Sequence, residues 1–175
     1  MRDVLFIVAN SLDNYIARLD GSVDWLLDSE DALQALTAFF ERVDTVVMGR
    51  KTYEESIKLG GGSGSFPGMR VVVFSKSLSA PLDEGSEIVS EDAAEFVRKL
   101  KAEDGNPIGC LGGGELAKAL FEADLIDEIQ VNVHPVLLGS GVPLFLPLNR
   151  SVELDLTECR PIANGCVMLT YRVKR

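Results

Sequence analysis

The sequence predicts an α/β fold: a mixed, mainly parallel central sheet that is flanked by helices and ends in antiparallel strands. In the first two thirds of the chain, short apolar runs alternate with stretches of helical periodicity, the order that builds parallel sheets. In the last third, strand-like runs follow one another without helices between them, which favours antiparallel pairing. The length of 175 residues favours a single domain over residues 1–175.

Composition narrows the class of protein. With 46% hydrophobic and 25% charged residues, the chain is expected to form a packed core. Its formal net charge of -10 argues against a general nucleic-acid-binding protein, because phosphate backbones require a basic surface. The three cysteines are not spaced like metal ligands, and the single histidine excludes a histidine cluster, so no metal is expected. No apolar run is long enough for a signal peptide or a bilayer span, which predicts a cytoplasmic protein without a membrane partner.

Hydrophobic periodicity places the elements in order along the chain. Continuous apolar runs predict strands that are covered on both faces, and apolar residues three or four apart predict amphipathic helices. Ser29 and Ser90 are the expected N-caps of two helices, and the polar stretch 10–24 is expected to be a loop. The predicted elements are strand 4–9, helix 30–42, strand 45–48, helix 51–58, strands 70–74 and 87–89, helix 91–101, strand 108–111, helix 115–121, and strands 128–133, about 142–145, 152–158 and 167–173.

The segment 46–53, Val-Val-Met-Gly-Arg-Lys-Thr-Tyr, carries the clearest functional signal. Gly49 ends the strand and lets the backbone approach a ligand closely, and the helix that follows offers free N–H groups and a positive dipole end to an anion. Arg50 and Lys51 add charge, and Thr52 adds a hydroxyl. A strand-to-helix turn with two solvated cations explains the same four residues equally well.

A second strand-to-helix turn, Gly112–Gly113–Gly114, repeats this arrangement. Two such turns at the carboxyl ends of parallel strands would form a cleft for an extended, doubly charged ligand, and a dinucleotide is the obvious candidate. The match to a Rossmann fingerprint is superficial, because the next strand leads into His134 and Pro135 instead of ending on an acidic residue. The glycine-rich stretch 60–68 lacks the Gly-Lys-Ser/Thr ending of a Walker loop. A helix-packing turn without a ligand is the alternative for 112–114.

Several segments, in this order and spacing, resemble the dihydrofolate-reductase-like superfamily. The resemblance is to the branch that includes the carboxyl-terminal reductase domain of riboflavin-biosynthesis deaminase-reductases. It implies an NADPH-dependent reductase of a small molecule, and a homodimer whose edge is formed by residues 135–145 and the late strands. The segments that carry the resemblance are 8–17, 23–26, 48–53, 73–76, 111–114 and 135–141.

The resemblance implies a place for each part of the NADPH cofactor. Ala9, through its backbone, and Ile16, by apolar contact, would hold the nicotinamide ring. The residues implied to bind the pyrophosphate and the adenosine 2′-phosphate are Gly49, Arg50, Lys51, Thr52, Ser75 and Lys76. The residues implied to pack on the diphosphate, in a turn that often contains a cis Gly-Gly peptide, are Gly112, Gly113 and Gly114.

The chain also departs from the best-known members. Glu115 stands where folate reductases often place an arginine near the 2′-phosphate, which leaves any preference for NADPH over NADH to the cations named above. Met69 occupies the position of the arginine that grips the glutamate of folate, and Val133 that of the threonine that orients the pterin. The Asn-Pro segment with which riboflavin-pathway reductases hold a ribose phosphate is missing as well. The substrate pocket is therefore expected to differ from that of either member.

Catalysis in such a reductase requires that the C4 hydride of the nicotinamide lie near an electron-poor C=N or C=O carbon and that a proton be supplied. Glu30 aligns with the acid of folate reductases at the start of the first helix, and Asp28 is a second candidate carboxylate. Trp25 aligns with a residue that lines the substrate pocket. A surface carboxylate favoured by the helix dipole and a core anchor are the simpler explanations of Glu30 and Trp25. His134 is more simply structural than a proton donor.

Three functions are left open. The first is NADPH-dependent reduction of a small heterocyclic, pyrimidine- or pterin-like, or carbonyl substrate. The second is weak reduction of dihydrofolate, and the third is dinucleotide binding without turnover.

Overall fold

A computed structural model describes residues Met1–Arg175 as alternating strands and helices. The helices are α1 (Glu30–Phe40), α2 (Arg50–Lys58), α3 (Ala93–Ala102) and α4 (Gly114–Glu122). None of them is long and apolar enough to cross a membrane. The strands are β1 (Val4–Ser11), β2 (Tyr15–Ala17), β3 (Thr45–Gly49), β4 (Arg70–Phe74), β5 (Ser86–Val89), β6 (Ile108–Leu111), β7 (Glu128–His134), β8 (Val142–Pro143), β9 (Leu154–Pro161) and β10 (Val167–Val173).

Eight strands form one sheet in the order β5-β4-β3-β6-β1-β7-β10-β9. The first six of these are mutually parallel, and β10 pairs antiparallel with β7 and β9. The predicted mixed sheet, mainly parallel with antiparallel strands late in the chain, is confirmed. Because the six parallel strands point the same way, the segments that follow them meet at one end of the sheet, the carboxyl end.

The sheet is covered on both faces, because side chains alternate between the faces along each strand. One face packs against α3 and α4 through a cluster that includes Phe6 and Leu120. The other face packs against α1 and α2 through a cluster that includes Leu5, Phe39 and Tyr53. Coverage on both sides explains why β1 and β3 are continuously apolar in sequence.

Two local predictions are wrong. The stretch 10–24 was predicted as a loop, but it contains β2, which pairs antiparallel with β8. A three-residue strand is too short to show periodicity, and its partner lies far along the chain. Helix α3 begins at Ala93 and is capped by Asp92, not Ser90, because the Asp92 carboxylate accepts a hydrogen bond from Glu95 N–H at 3.0 Å. Serine and aspartate are equally good N-caps, so the sequence alone did not separate them.

At the amino end of the sheet, buried cations are paired. Arg2 forms an ion pair with Asp44 and Lys101 forms one with Asp127, and both cationic side chains are almost fully buried. Asp127 also accepts a hydrogen bond from Val4 N–H at 2.7 Å, which fixes the start of β1. These cations therefore serve the fold and are not available to an anionic ligand.

Candidate functional site

The two glycine turns lie side by side at the carboxyl end of the sheet. Strands β3 and β6 are neighbours, with Met48 opposite Leu111, so the segments that follow them start together. Gly112 has φ +85°, and a Cβ placed on it would lie 2.3 Å from the Thr52 hydroxyl oxygen. The start of α2 therefore touches the turn before α4, as the cleft hypothesis requires.

The turn at 112–114 reaches its shape without a cis peptide bond. Every peptide bond in the chain is trans, so the cis Gly-Gly peptide implied by the resemblance is absent. The turn instead uses positive φ angles at Gly112 and Gly114, +85° and +63°. Only glycine adopts such angles at little cost, so the glycines are required by the backbone itself.

Both helices begin with backbone N–H groups that no side chain caps, and of these Gly114 N–H donates a hydrogen bond to the Leu144 carbonyl oxygen at 3.5 Å. Gly49 is the N-cap of α2 and Gly113 that of α4, and neither helix start is capped by a side chain. A Cβ on Gly49 or Gly114 would meet no atom within 4 Å, so space lies in front of both turns. Uncapped N–H groups facing open space are the arrangement that binds phosphate oxygens.

Ile16 also lies beside the glycine turns. A Cβ on Gly113 would lie 3.2 Å from Ile16 Cδ1 and 2.8 Å from the Leu144 carbonyl oxygen. The pairing of β2 with β8 is what carries Ile16 there, since Leu144 directly follows β8. The residue that the resemblance implies at the nicotinamide thus lies against the turn that it implies on the diphosphate.

The cations predicted to bind the cofactor phosphates differ in whether a carboxylate of the protein already pairs with them. Arg50 forms an ion pair with Glu54, with Nη1 2.9 Å and 3.2 Å from the two carboxylate oxygens. Lys51 and Lys76 are exposed and form no ion pair, so they are the cations free to meet a phosphate group. Glu115 lies in the first turn of α4 and is exposed.

Ser75 shapes the turn that presents Lys76. The Ser75 side chain is buried, and its hydroxyl oxygen accepts hydrogen bonds from Ser77 N–H at 3.2 Å and from Leu78 N–H at 2.9 Å. The hydroxyl is therefore engaged in the turn at the end of β4. Its contribution to a ligand site is the position it gives to its neighbour.

Three partly exposed residues near the carboxyl end of the sheet, on its α1 side, mark an area that we call the bay. Its floor is formed by Ala9, Leu111 and Asn132, three partly exposed residues on the central strands β1, β6 and β7. Ala9 shares the face of Leu5 and Ile7, which pack on the α1 side, and it lies opposite Asn132 in the parallel register. Central strands are normally covered, so partial exposure there marks the open end of a cleft.

Trp25 and His134 form one wall of the bay. Their rings pack edge to face with centroids 5.3 Å apart, and both residues are buried, at 6% and 2% exposure. His134 Nδ1 accepts a hydrogen bond from Leu27 N–H at 3.3 Å and lies 3.5 Å from Cys166 Sγ. Burial lowers the pKa of His134, so the imidazole is neutral at pH 7. His134 therefore holds the Trp25 segment against the sheet, which agrees with its predicted structural role.

The two candidate carboxylates lie farther out. Glu30 is exposed on the outer face of α1, where it lines an open groove of about 390 Å³ and accepts a hydrogen bond from Gln34 at 3.3 Å. Asp28 is exposed in the preceding loop, and its carbonyl oxygen accepts a hydrogen bond from Asn164. Asp31, the residue after Glu30, accepts an exposed hydrogen bond from Ala163 N–H at 3.0 Å. The structure does not bring Glu30 or Asp28 to the bay, and their catalytic role stays a prediction.

Val133, which the resemblance equates with the threonine that orients the pterin, does not face the bay. Val133 packs in the cluster beneath α3 and α4, away from the bay. Asn132 lies opposite Met168 of β10, which packs with Ala35 of α1, so Asn132 is the residue that faces the bay. A signal was present in the sequence: β7 alternates strictly between polar and apolar residues, and its polar set is Glu128, Gln130, Asn132 and His134.

Met69 also lies outside the bay. It directly precedes β4, at the amino end of that strand, and packs on the cluster beneath α1 and α2. Its apolar packing there is consistent with the absence of a cationic side chain at this position.

Sequence comparison relates the whole chain to one family. The profile of the RibD C-terminal domain matches residues 2–168. The chain is 38% identical over 171 residues to the uncharacterized protein YwjB of Bacillus subtilis (strain 168), a match that covers 97% of both chains. It is 27% identical over 179 residues to the uncharacterized protein YyaP of the same organism, covering 97% of this chain and 94% of YyaP.

Similar solved structures have the same fold. A Shewanella sp. PV-4 protein provisionally named for riboflavin biosynthesis is 28% identical with a TM-score of 0.86, and the match covers 99% of both chains. A pyrimidine reductase-like protein of Corynebacterium diphtheriae has a TM-score of 0.75 at 17% identity, over 99% of this chain and 92% of that one. A diaminohydroxyphosphoribosylaminopyrimidine deaminase/5-amino-6-(5-phosphoribosylamino)uracil reductase of Thermotoga maritima has a TM-score of 0.73 at 16% identity, over 99% of this chain and 57% of that one. At 16% and 17% identity, the last two support the fold alone.

Proposed function

The chain belongs to the RibD C-terminal domain family, and on that premise we propose that it is a reductase. It would take hydride from NADPH and transfer it to a small heterocyclic, pyrimidine- or pterin-like, or carbonyl substrate. The observation that carries this proposal is the contact between the two uncapped glycine turns, with Thr52 against Gly112. Two adjacent groups of uncapped N–H donors suit the two phosphates of a dinucleotide.

The residues around the turns fit NADPH in chemistry as well as in shape. NADPH would supply the hydride. Lys51 and Lys76, which have no carboxylate partner, would neutralise the 2′-phosphate, and Arg50 would do so once it leaves Glu54. Ala9 and Ile16 would bracket the nicotinamide beside the bay, with the apolar Ile16 side chain limiting the access of water to the ring.

The reaction also needs a donor for the proton that accompanies the hydride. Glu30 or Asp28 would have to reach the bay by a movement of the segment that precedes α1. If neither does, the substrate would have to draw its proton from water. Replacement of Glu30 by Gln tests this point, because unchanged turnover would remove Glu30 from the mechanism.

Cofactor binding is the decisive experiment. We expect NADPH to raise the melting temperature more than NADH does, because only NADPH offers a 2′-phosphate to Lys51 and Lys76. In the double variant Lys51→Met/Lys76→Met, affinity for NADPH should fall by about tenfold or more, while affinity for NADH changes little. Lys58→Met is the matched control, since Lys58 lies at the opposite end of α2 and pairs with Glu55. Equal stabilisation by the two cofactors would contradict the assignment of NADPH.

Turnover separates the remaining alternatives. Oxidation of NADPH with dihydrofolate at the background rate would dismiss weak dihydrofolate reduction. NADPH binding without oxidation by any pyrimidine, pterin or carbonyl compound would favour a dinucleotide-binding protein that lacks turnover.

A further inference from the structure

The loop between β1 and β2 is joined to a distant segment by the carboxylate of Asp13. Asp13 Oδ1 accepts hydrogen bonds from the Ser11 hydroxyl at 2.6 Å and from Leu138 N–H at 3.1 Å. Asp13 Oδ2 accepts a third hydrogen bond, from Gly139 N–H at 2.8 Å. Leu138 and Gly139 belong to the segment after β7, and Leu138 is 125 residues away from Asp13 along the chain. One carboxylate therefore bonds to both segments at once.

The hydrogen bonds of Asp13 extend to the strand that carries Ile16. The Ser11 hydroxyl oxygen, which donates to Asp13, accepts a hydrogen bond from Tyr15 N–H at 2.9 Å, at the first residue of β2. Ile16 is the next residue, and its Cδ1 lies against Gly113 at the second glycine turn. Strand β2 has three residues and its partner β8 has two, and so short a pair is only marginally stable by itself. The position of Ile16 therefore depends on contacts outside the strand pair.

Asp13 is well suited to provide such a contact. The hydrogen bond from Ser11 and those from Gly139 and Leu138 lower the pKa of Asp13, so the half-exposed carboxylate is ionised at pH 7. Hydrogen bonds to an ionised acceptor are about twice as strong as those between neutral groups. The side-chain hydrogen bonds between the segments 11–17 and 136–144 all come from Asp13.

We propose that Asp13 is a positioning residue that holds Ile16 in place for the nicotinamide half of the cofactor. Asp13 would act through the β1–β2 loop and not by contact with either reactant. The inference rests on the proposed function, because it takes the space beside Ile16 as the nicotinamide side of the cleft. It predicts a selective effect. Loss of the carboxylate should weaken ligands that contain nicotinamide and spare ligands that contain only the adenosine 2′-phosphate, which meets Lys51 and Lys76.

The test compares NADPH with adenosine 2′,5′-bisphosphate, which has the 2′-phosphate and lacks the nicotinamide. In Asp13→Ala, the Kd for NADPH measured by titration calorimetry should rise about tenfold or more, and the Kd for the bisphosphate should change less than about twofold. Asp20→Ala is the matched control, because Asp20 accepts a hydrogen bond from Ser22 N–H at 2.9 Å within its own turn. This control should bind both ligands as the wild type does.

Amide hydrogen exchange in the ligand-free protein tests the same contact without a cofactor. In Asp13→Ala, the amides of Leu138, Gly139 and Tyr15 should exchange faster than in the wild type. If the alanine variant does not fold, Asp13→Asn keeps one acceptor oxygen and should show a smaller loss that is still confined to NADPH. An equal loss of affinity for both ligands, unchanged affinity for NADPH, or unchanged exchange would overturn the inference.

The proposed function can fail separately. If the wild type does not bind NADPH, the proposed function fails, and faster exchange in Asp13→Ala would then leave Asp13 with a structural role only. If the wild type binds NADPH and Asp13→Ala binds it equally well, the proposed function stands and the role of Asp13 is excluded.

Discussion

Single residues decide whether the two helix starts can form one site. Gly112 meets two independent demands, a left-handed backbone and a close approach to Thr52. Replacement by alanine would strain the backbone and drive the new Cβ into the Thr52 hydroxyl. The contact between the turns, and not only the stability of one turn, depends on this glycine.

We expect Gly112→Ala to weaken NADPH binding by at least tenfold, with about 1–2 kcal/mol of lost stability. Gly68→Ala is the control, because Gly68 has φ +76° but open space around its Cβ position. That variant should lose about 1 kcal/mol of stability and keep its cofactor affinity. The measurements are urea unfolding and NADPH titration, and wild-type NADPH affinity in Gly112→Ala would rule out a ligand site at the paired turns.

Backbone conformation could be predicted from the sequence better than the direction of side chains. The glycines at 49 and 112–114 were recognised because strand, glycine and helix follow one another locally. The direction of Val133 depends on the face of the strand on which it lies, since a shift of one residue along a strand exchanges the two faces. The contact of Asp31 with Ala163 and the outward direction of Glu30 depend on which side of α1 meets the sheet, so they required the tertiary structure.

At the scale of elements, the sequence predicts those strands and helices whose hydrophobic pattern lies within the element itself. The boundaries of β4, β6 and β10 agree with the predicted ranges, because each is a compact apolar or alternating run between clear turns. The missed element, β2, exists only through its pairing with β8. The predicted segment at 142–145 likewise owes its extended shape to that pairing.

The conformation of the glycine-rich loop at 60–68 also depends on a residue that is distant in sequence. Asp83, in the loop between β4 and β5, accepts hydrogen bonds from Ser63 N–H at 2.5 Å and from the Tyr53 hydroxyl at 3.0 Å. Burial alone would raise the pKa of Asp83, but these hydrogen bonds outweigh it and lower the pKa to about 2. A single carboxylate therefore joins the glycine-rich loop to α2.

We expect Asp83→Asn to destabilise the protein by about 1.5–3 kcal/mol at pH 7, the usual range for hydrogen bonds to a charged group. Because the folded-state pKa is lowered, the contribution of Asp83 is complete above about pH 4, where the unfolded chain is also ionised, and is lost as the pH falls toward 2. The difference between variant and wild type in urea unfolding should thus shrink between pH 4 and pH 2.5. Asp104→Asn, at an exposed side chain without a hydrogen bond, is the control. A difference independent of pH would refute this role of the carboxylate.

At the scale of the whole molecule, the sheet ends in an unprotected strand. All eight residues of β9 are exposed, and its outer edge has no partner strand. Leu156 is 55% exposed there. Edge strands of this kind are usually covered, and we propose that a second copy of the chain covers β9 in a homodimer.

Size-exclusion chromatography with light scattering tests the homodimer. The wild type should elute as a dimer at micromolar concentration, and Leu156→Asp should shift it to the monomer, because a buried unpaired carboxylate disfavours the interface. Leu59→Asp, at a leucine that follows α2 and is 78% exposed, should leave the dimer intact. A monomeric wild type would exclude the dimer, and a dimeric Leu156→Asp would exclude β9 as its interface.

The cations at the two ends of the sheet are engaged differently, and this difference predicts how the affinity for the cofactor depends on ionic strength. Arg2 and Lys101 are neutralised within the fold, whereas Lys51 and Lys76 remain unpaired on a chain of net charge -10. The net negative charge of the protein repels an approaching dinucleotide. The two lysines attract it only when it comes within a few ångströms of them. Added salt screens the distant repulsion first, since the Debye length falls to about 10 Å at 0.1 M. Affinity for an anionic cofactor should therefore pass through a maximum at moderate salt, whereas a basic protein would lose affinity steadily.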